Sequence, residues 1–378
     1  MLTKITLTNF LSYGPGPQPI DLRPLNVLIG ANGSGKSNLA EALSVLRAVP
    51  RDVTLPIRRG GGVEEWVWRG DASAERAHAS CIEVTFQAAQ VSHEPIRYAL
   101  EFGSEAGAFV VASERLEGDA AGTPYVRSED GLAVLSDASV ATRFDRTQSV
   151  LAQLRDPVAY PEVSAVGDAL KRILIYRAWS FGPDANIRES CRADVETSTL
   201  LEDFSNLPAR LAVLKRDPAT KRRLLELLRE VSPAYNDIEV TPEGGRLQLY
   251  VTEGERNVPA HRLSDGTLRY LALLAILLQP GANLVVIEEP ELGLHPDMFP
   301  TLRDLLVEAS ERFQLVVTTH STQLVDGLTD HAESVLVCEK ENGTTRLVRL
   351  DQSDVDAWRE QGALGVQWMS GRHGGTRW

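Results

Sequence analysis

LNVLIGANGSGKSNLAEALSVL, Leu25 to Leu46, sets a short, mostly apolar run, a glycine-rich turn and a helical apolar pattern in immediate succession. The run reads as a buried strand, and Leu39, Ala42, Leu43 and Leu46 then recur on one face of a helix. Between them, Gly30-Ala31-Asn32-Gly33-Ser34-Gly35-Lys36-Ser37 satisfies GxxxxGK[ST] in full. Glycines there let backbone amides curl round phosphate oxygens, and the helix start, with Asn38 in its first turn, adds partial positive charge. Lys36 reaches the β- and γ-phosphates and Ser37 ligates Mg²⁺. A merely flexible turn needs neither the lysine and hydroxyl nor the flanking strand and helix. The stretch therefore predicts an ATP site in an α/β domain.

Three further stretches carry chemistry. NLVVIEEPELGLHP, Asn283 to Pro296, is a buried strand ending in two carboxylates. Adjacent charges at the end of a core strand are costly unless they meet a cation or a proton to abstract. Glu288 is expected toward the water shell of Mg²⁺ and Glu289 as the base orienting an attacking water. QLVVTTHS, Gln314 to Ser321, ends the same way in His320, which is placed to donate to a γ-phosphate. A lone histidine after a strand is more often structural, so its weight comes from its neighbours. RLSDGTLRYLA, Arg262 to Ala272, is a helix start capped by Ser264, with Gly266 leaving room for a ligand. Alone it is most simply a well-capped core helix.

The order of these four stretches resembles that of the ABC-type ATPases, in the branch that holds the RecF, SMC and OLD-like proteins, often called AAA family ATPases of the AAA_21 or AAA_15 type. The resemblance implies an α/β, ABC-type P-loop nucleotide-binding domain carrying an antiparallel β-subdomain and an inserted helical arm. By matching position, Gly30 to Ser37 is Walker A, Leu263 to Thr267 the signature, Leu284 to Glu289 Walker B and His320 the switch histidine. It further implies an ATP-dependent, head-to-tail homodimer in which Ser264 and Gly266 act in trans on the partner's P-loop. Glu288 stands where many relatives have Asp, and Asp265 and Thr267 replace the Gly and Gln usual in transporters. No Q-loop glutamine is evident; Gln87, a weak candidate for the metal, and Gln90 end a strand. OLD-like enzymes carry a C-terminal TOPRIM nuclease, for which too little chain follows His320. The resemblance thus points to control of a separate effector such as a nuclease, or of DNA or RNA, in antiphage defence or DNA repair. A nucleotide-gated scaffold with little turnover is the alternative, and a transporter subunit a weaker one.

Bulk properties bound these readings. The 378 residues carry a net charge of −13, so the whole molecule repels nucleic acid and any such contact needs a local basic patch. Arg58-Arg59, Lys171-Arg172, Lys215-Arg216 and Lys221-Arg222-Arg223 are the candidates, though on helices such clusters are usually solvated faces. Cys81, Cys191 and Cys338 are far apart without ligand spacing, predicting neither zinc nor disulfides. No apolar stretch spans a bilayer, so a cytoplasmic protein without a membrane partner is expected.

Along the chain, residues 1–112 are expected to hold the P-loop and a meander built from CIEVTFQ, IRYALEF and AFVVASERLEG. Residues 113–235 read as the inserted arm: a weakly patterned stretch to Pro161, a helix VSAVGDALKRILIY, and a second helical block. Residues 236–340 return to α/β alternation with the signature, Walker B and the histidine. Residues 341–378 form a tail whose Asp351, Asp354 and Asp356 read as a solvated acidic face. Its tryptophans suggest a docking segment.

Overall fold

The computed structural model describes residues 1–70, 79–87, 95–118, 122–128, 130–135, 142–351 and 364–369. Gln90, Asp354 and Asp356 lie outside them. Two compact units form: Met1–Ile173 with His331–Gly362 and Gln367–Trp378, and Leu174–Asp330 with Ala363–Val366.

The first unit is built on an eight-stranded sheet of order β2-β1-β4-β5-β6-β7-β8-β9, antiparallel throughout. Its strands are β1 (Leu2–Thr8), β2 (Gln18–Asp21), β4 (Ala79–Phe86), β5 (Ile96–Glu105), β6 (Ala108–Gly118), β7 (Gly122–Arg127), β8 (Leu132–Leu135) and β9 (Thr142–Arg143). Alternation drives it: Ile82, Val84 and Phe86 of β4, and Tyr98, Leu100 and Phe102 of β5, are all buried. The meander outruns its expected end, because the stretch after Ser113 that reads as weakly patterned supplies β7 to β9. Its inward positions mix Leu116, Tyr125 and Leu135 with Glu114 and Arg127, all buried, which blurs the hydrophobic period. The Glu114 carboxylate accepts hydrogen bonds from Tyr98 and Tyr125 hydroxyls at 3.0 and 2.8 Å, and from the Ser149 hydroxyl and the Val150 amide. Arg127 stands 3.8 Å from it and donates to the Gln148 and Asp145 carbonyls. Charges this buried persist only when each meets a counter-charge and hydrogen-bond partners.

Beside that sheet, β3 (Leu25–Ile29), buried at all five residues, runs parallel to β17 (Val335–Glu341), which pairs antiparallel with β18 (Thr344–Arg349). The helices are α1 (Lys36–Ala48), α2 (Thr54–Arg59), α3 (Val150–Gln153) and α4 (Pro161–Lys171). Helix α2 lies in the Pro50–Ala72 stretch that composition alone reads as a loop.

The second unit opens at Leu174, within β10 (Ile173–Tyr176). The helix expected to run through Tyr176 stops at Lys171, since ILIY is short, apolar and ends in an aromatic, which suits a buried strand. β10 lies next to β15 (Leu284–Glu288), which is parallel to β16 (Gln314–Thr318). A smaller antiparallel sheet joins β11 (Cys191–Arg192), β12 (Tyr235–Glu243), β13 (Arg246–Glu253) and β14 (Arg256–Pro259). Its β12–β13 hairpin turns on Gly244-Gly245, where both φ angles are positive, the condition for a type I′ turn. Helices α5 (Leu207–Leu214), α6 (Pro218–Val231), α7 (Asp265–Leu277), α8 (Phe299–Ser310) and α9 (Thr322–Gly327) complete it. The C-terminal helix α10 (Leu364–Met369) sets Gly365 against α9, its amide donating to the Asp326 carboxylate. A Cβ at Gly365 would collide with the Thr322 carbonyl. Gly365 thus packs closely on α9.

In three of the basic clusters one member meets an acidic side chain. Lys215 pairs with Asp237 at 2.7 Å, Lys171 with Asp168 at 3.0 Å, and Arg223 lies between Glu226 and Glu308. Among the described residues no helix is long and apolar enough to cross a membrane, and no group of three or more His, Cys, Asp or Glu side chains is placed to hold a metal.

Candidate functional site

In the first unit, β3 delivers Gly30 into a loop that only glycine can make. Gly30, Gly33 and Gly35 have φ of 149°, 78° and 105°. A Cβ at Gly30 would strike the Cys338 carbonyl, and one at Gly35 the hydroxyls of Thr345 and Ser12. The loop opens α1 with no side-chain cap and no acidic residue in the first turn, leaving its amides to an anion. Lys36 is buried, and its ammonium donates to the Gly30 and Ala31 carbonyls at 2.8 and 3.0 Å, inside the loop's own curl. Ser37 and Asn32 are exposed. The Ser34 hydroxyl is buried without a hydrogen-bond partner among the described residues. A lysine, a waiting hydroxyl and open amides around a cradle that any Cβ would fill suit a phosphate chain, and Ser37 suits its Mg²⁺.

A chain of hydroxyls braces this loop. Thr345 Oγ1 donates to the Ser34 carbonyl at 2.8 Å. Its single proton is thereby committed, so the 2.6 Å contact with Ser12 Oγ requires Ser12 to donate. Ser12 Oγ in turn accepts from Asn38 Nδ2 at 2.6 Å, and Cys338 Sγ donates to the same Ser34 carbonyl. Ser12 and Thr345 have no sequence signature; topology alone brings the β1–β2 turn and β18 to the P-loop. Thr345→Val keeps the shape and deletes the donor, so it is expected to cost about 1–3 kcal/mol of stability and to weaken ATP binding. Denaturant titration and a fluorescent-ATP titration measure the two. Gln87 is tied by its backbone to Met1, at the opposite end of β1 from the turn holding Ser12, so the structure does not bring it to the P-loop.

In the second unit, β15 and β16 end in register, Glu288 opposite Thr318, and carry the acidic pair and His320 to one edge. Glu289 leaves the strand with φ of 48°, a left-handed conformation costing a non-glycine residue about 1–2 kcal/mol. Its amide donates to the Thr318 carbonyl at 2.9 Å. Its carboxylate stands 3.5 Å from His320 Nε2. Glu291, buried, accepts from the Thr319 hydroxyl at 2.6 Å and the His320 amide at 3.0 Å, so the loop after Walker B positions the histidine. Sequence reading missed Glu291 because a glutamate in a charged loop reads as solvated. His295 caps the turn that follows, accepting from the Asp297 amide.

At the start of α7, Ser264 Oγ accepts from the Thr267 amide at 3.1 Å and meets the Thr267 hydroxyl at 2.8 Å. A Cβ at Gly266 would come 2.9 Å from the Gly293 carbonyl. Both departures from the transporter pattern have structural roles: Thr267 completes the cap, and Asp265 pairs with Arg188. The Arg188 guanidinium also donates to the Leu263 carbonyl at 2.8 Å, gripping the turn before the helix. Residues 267–277 of α7 are all buried. Among them is Arg269, whose guanidinium burial pulls its pKa down to about 10, against the opposing pull of Glu291 and Glu289.

A P-loop braced in one unit, and an acidic strand end, a histidine and a capped helix start in the other, are parts that a P-loop NTPase uses. The family model described as "AAA domain, putative AbiEii toxin, Type IV TA system" matches residues 25–116 and 140–326, a span that includes all four motifs. The chain belongs to this family, AAA_21. It is 39% identical over 63 residues to the Old nuclease of Escherichia phage P2; that stretch is 16% of this chain and only 11% of the nuclease. Among solved structures it resembles an SMC head bound to the C-terminal winged-helix domain of ScpA, with a TM-score of 0.63 and 16% identity over 93% of this chain and 99% of that one. A Pyrococcus furiosus Smc head with an extended coiled coil, bound to the C-terminal domain of ScpA, gives 0.60 and 16% over 95% and 98%. At such identity the likeness is one of fold.

Proposed function

We propose that this chain binds and hydrolyses ATP, and that two copies clamp two ATP molecules head to tail. Lys36 and the loop amides hold the phosphates; Ser37 and Glu288 would hold Mg²⁺, which when bound would offset charge on the phosphate oxygens. Glu289 orients the attacking water, and His320 donates toward the γ-phosphate. Ser264 and Gly266 complete the site on the partner's P-loop. The output is control of a separate effector such as a nuclease, or of a nucleic-acid transaction, in antiphage defence or DNA repair.

The observation that carries this reading is Glu289: a carboxylate at a strained, multiply anchored turn, facing His320, in a chain with a complete P-loop. Strain retained at a polar turn is a mark of function. Purified protein should release phosphate from ATP steadily with Mg²⁺, and its mass by light scattering should double with ATP. ATP-dependent doubling with no phosphate release would instead support a nucleotide-gated scaffold. Neither doubling nor release would sink both readings.

A further inference from the structure

The two peptide planes that flank the Glu289 Cα are each held by a side chain. Trp179 Nε1 donates to the Glu288 carbonyl at 2.7 Å, and Arg269 Nη2 donates to the Glu289 carbonyl at 2.8 Å. The first plane is held a second time by the Glu289 amide on Thr318, and the second by the Leu292 amide on the Glu289 carbonyl at 3.2 Å. Backbone angles φ and ψ at a residue are the rotations of these two planes about its Cα. Fixing both planes fixes the Cα–Cβ direction, and with it the aim of the carboxylate at His320.

The two donors form one stack. The Arg269 guanidinium lies 4.4 Å over the Trp179 ring and 5.6 Å from Phe181, and Trp179 stacks on Phe204 at 5.1 Å. A buried guanidinium over an indole is held by its π-face as well as by hydrogen bonds. Arg269 is also five residues beyond Ser264, about 7.5 Å along the same helix. The first turn of that helix bears directly on the loop that follows Glu289, through the close approach of Gly266 to the Gly293 carbonyl.

We propose that Trp179 and Arg269 are positioning residues that link the signature helix to Glu289, so that engagement of Ser264 by nucleotide sets the aim of the base. The linkage rests on the ATPase reading above, and gives it a means by which hydrolysis waits for dimer closure. Neither residue touches substrate; each acts through the backbone of Glu289.

Trp179→Phe keeps the ring and deletes the donor, and Arg269→Lys keeps the charge and deletes the planar fork. Each is expected to lower kcat by about tenfold or more, with KM for ATP within about twofold of the parent. The double variant should be no slower than the slower single one, since both act through one residue. A purely packing role would instead lower the melting midpoint together with activity, with no such split. Values of kcat within about twofold of the parent in both variants overturn the proposal. A second measurement does not need turnover. With six tryptophans in the chain, the emission of Trp179 is read as the difference between parent and Trp179→Phe, both carrying Glu289→Gln. ATP should change that difference, and adding Ser264→Arg should abolish the change. An unresponsive difference overturns the linkage whether or not ATP is hydrolysed. A responsive one with no turnover in the parent would sink hydrolysis and leave the linkage standing.

Discussion

Glu289→Gln is expected to slow ATP turnover by about 10²- to 10⁴-fold, the range for loss of a general base, while ATP binds as tightly as before. The amide matches the carboxylate in shape, and the groups that hold the local turn act on the backbone, so the strained conformation should survive. Thr318 accepts the Glu289 amide proton and Arg269 donates to the Glu289 carbonyl, and neither contact involves the side chain. What is lost is the basic oxygen 3.5 Å from His320. If Glu289 orients water, the substituted protein should accumulate as an ATP-bound dimer, since closure precedes the step that fails. Phosphate release and equilibrium ATP binding, measured on one preparation, separate the two effects. A loss of less than tenfold would shift the role of base to another group, Glu288 first.

That expectation rests on residues of two kinds. Those that touch nucleotide in the proposed cycle were legible from their spacing, because phosphate binding and water activation impose short local patterns: GxxxxGKS, a strand ending in Glu288-Glu289, a capped glycine-bearing helix start. The residues that hold these in place were not. Arg188 and Trp179 lie in an irregular segment between β10 and β11, more than 70 residues ahead of the groups they grip, and no local period marks such a pairing. Arg269 sits inside an otherwise apolar helix, where a sequence pattern shows a defect rather than a partner. Thr345 meets the P-loop only because β18 follows β17 back along the sheet beside β3.

The fold divides the same way. The three meander strands read from the sequence, β4, β5 and β6, stand where they were expected. Strands β7 to β9 escaped because the faces they bury include Arg127, matched to Glu114 and to main-chain carbonyls. Burial of a satisfied polar group satisfies the core and misleads the pattern. The ILIY segment shows the converse: a short apolar run after a good helix carries no period long enough to tell strand from helix, and its neighbour β15 decides.

The other large effect is expected at Ser264, which the structure shows only as a cap. Ser264→Ala removes a cap worth about 1 kcal/mol. Ser264→Arg adds a positive charge at the helix start, worth about 0.3–1 kcal/mol more in destabilisation. Eleven consecutive buried residues behind it should keep α7 folded in both. If the cap were the whole role, the two variants would therefore behave almost alike. If the hydroxyl meets a phosphate on a second copy, arginine should stop dimer closure and cut turnover about 100-fold or more, and alanine much less, with ATP binding to each isolated chain unaltered. Mixing supplies the decisive comparison. A Ser264→Arg chain keeps its P-loop and a Lys36→Ala chain keeps its signature, so a head-to-tail pair of the two rebuilds one complete site from two inactive proteins. Recovery of ATP turnover on mixing would establish composite sites; a mixture as inactive as its components, or a Ser264→Arg chain that still hydrolyses ATP, would return this helix start to the role of a cap.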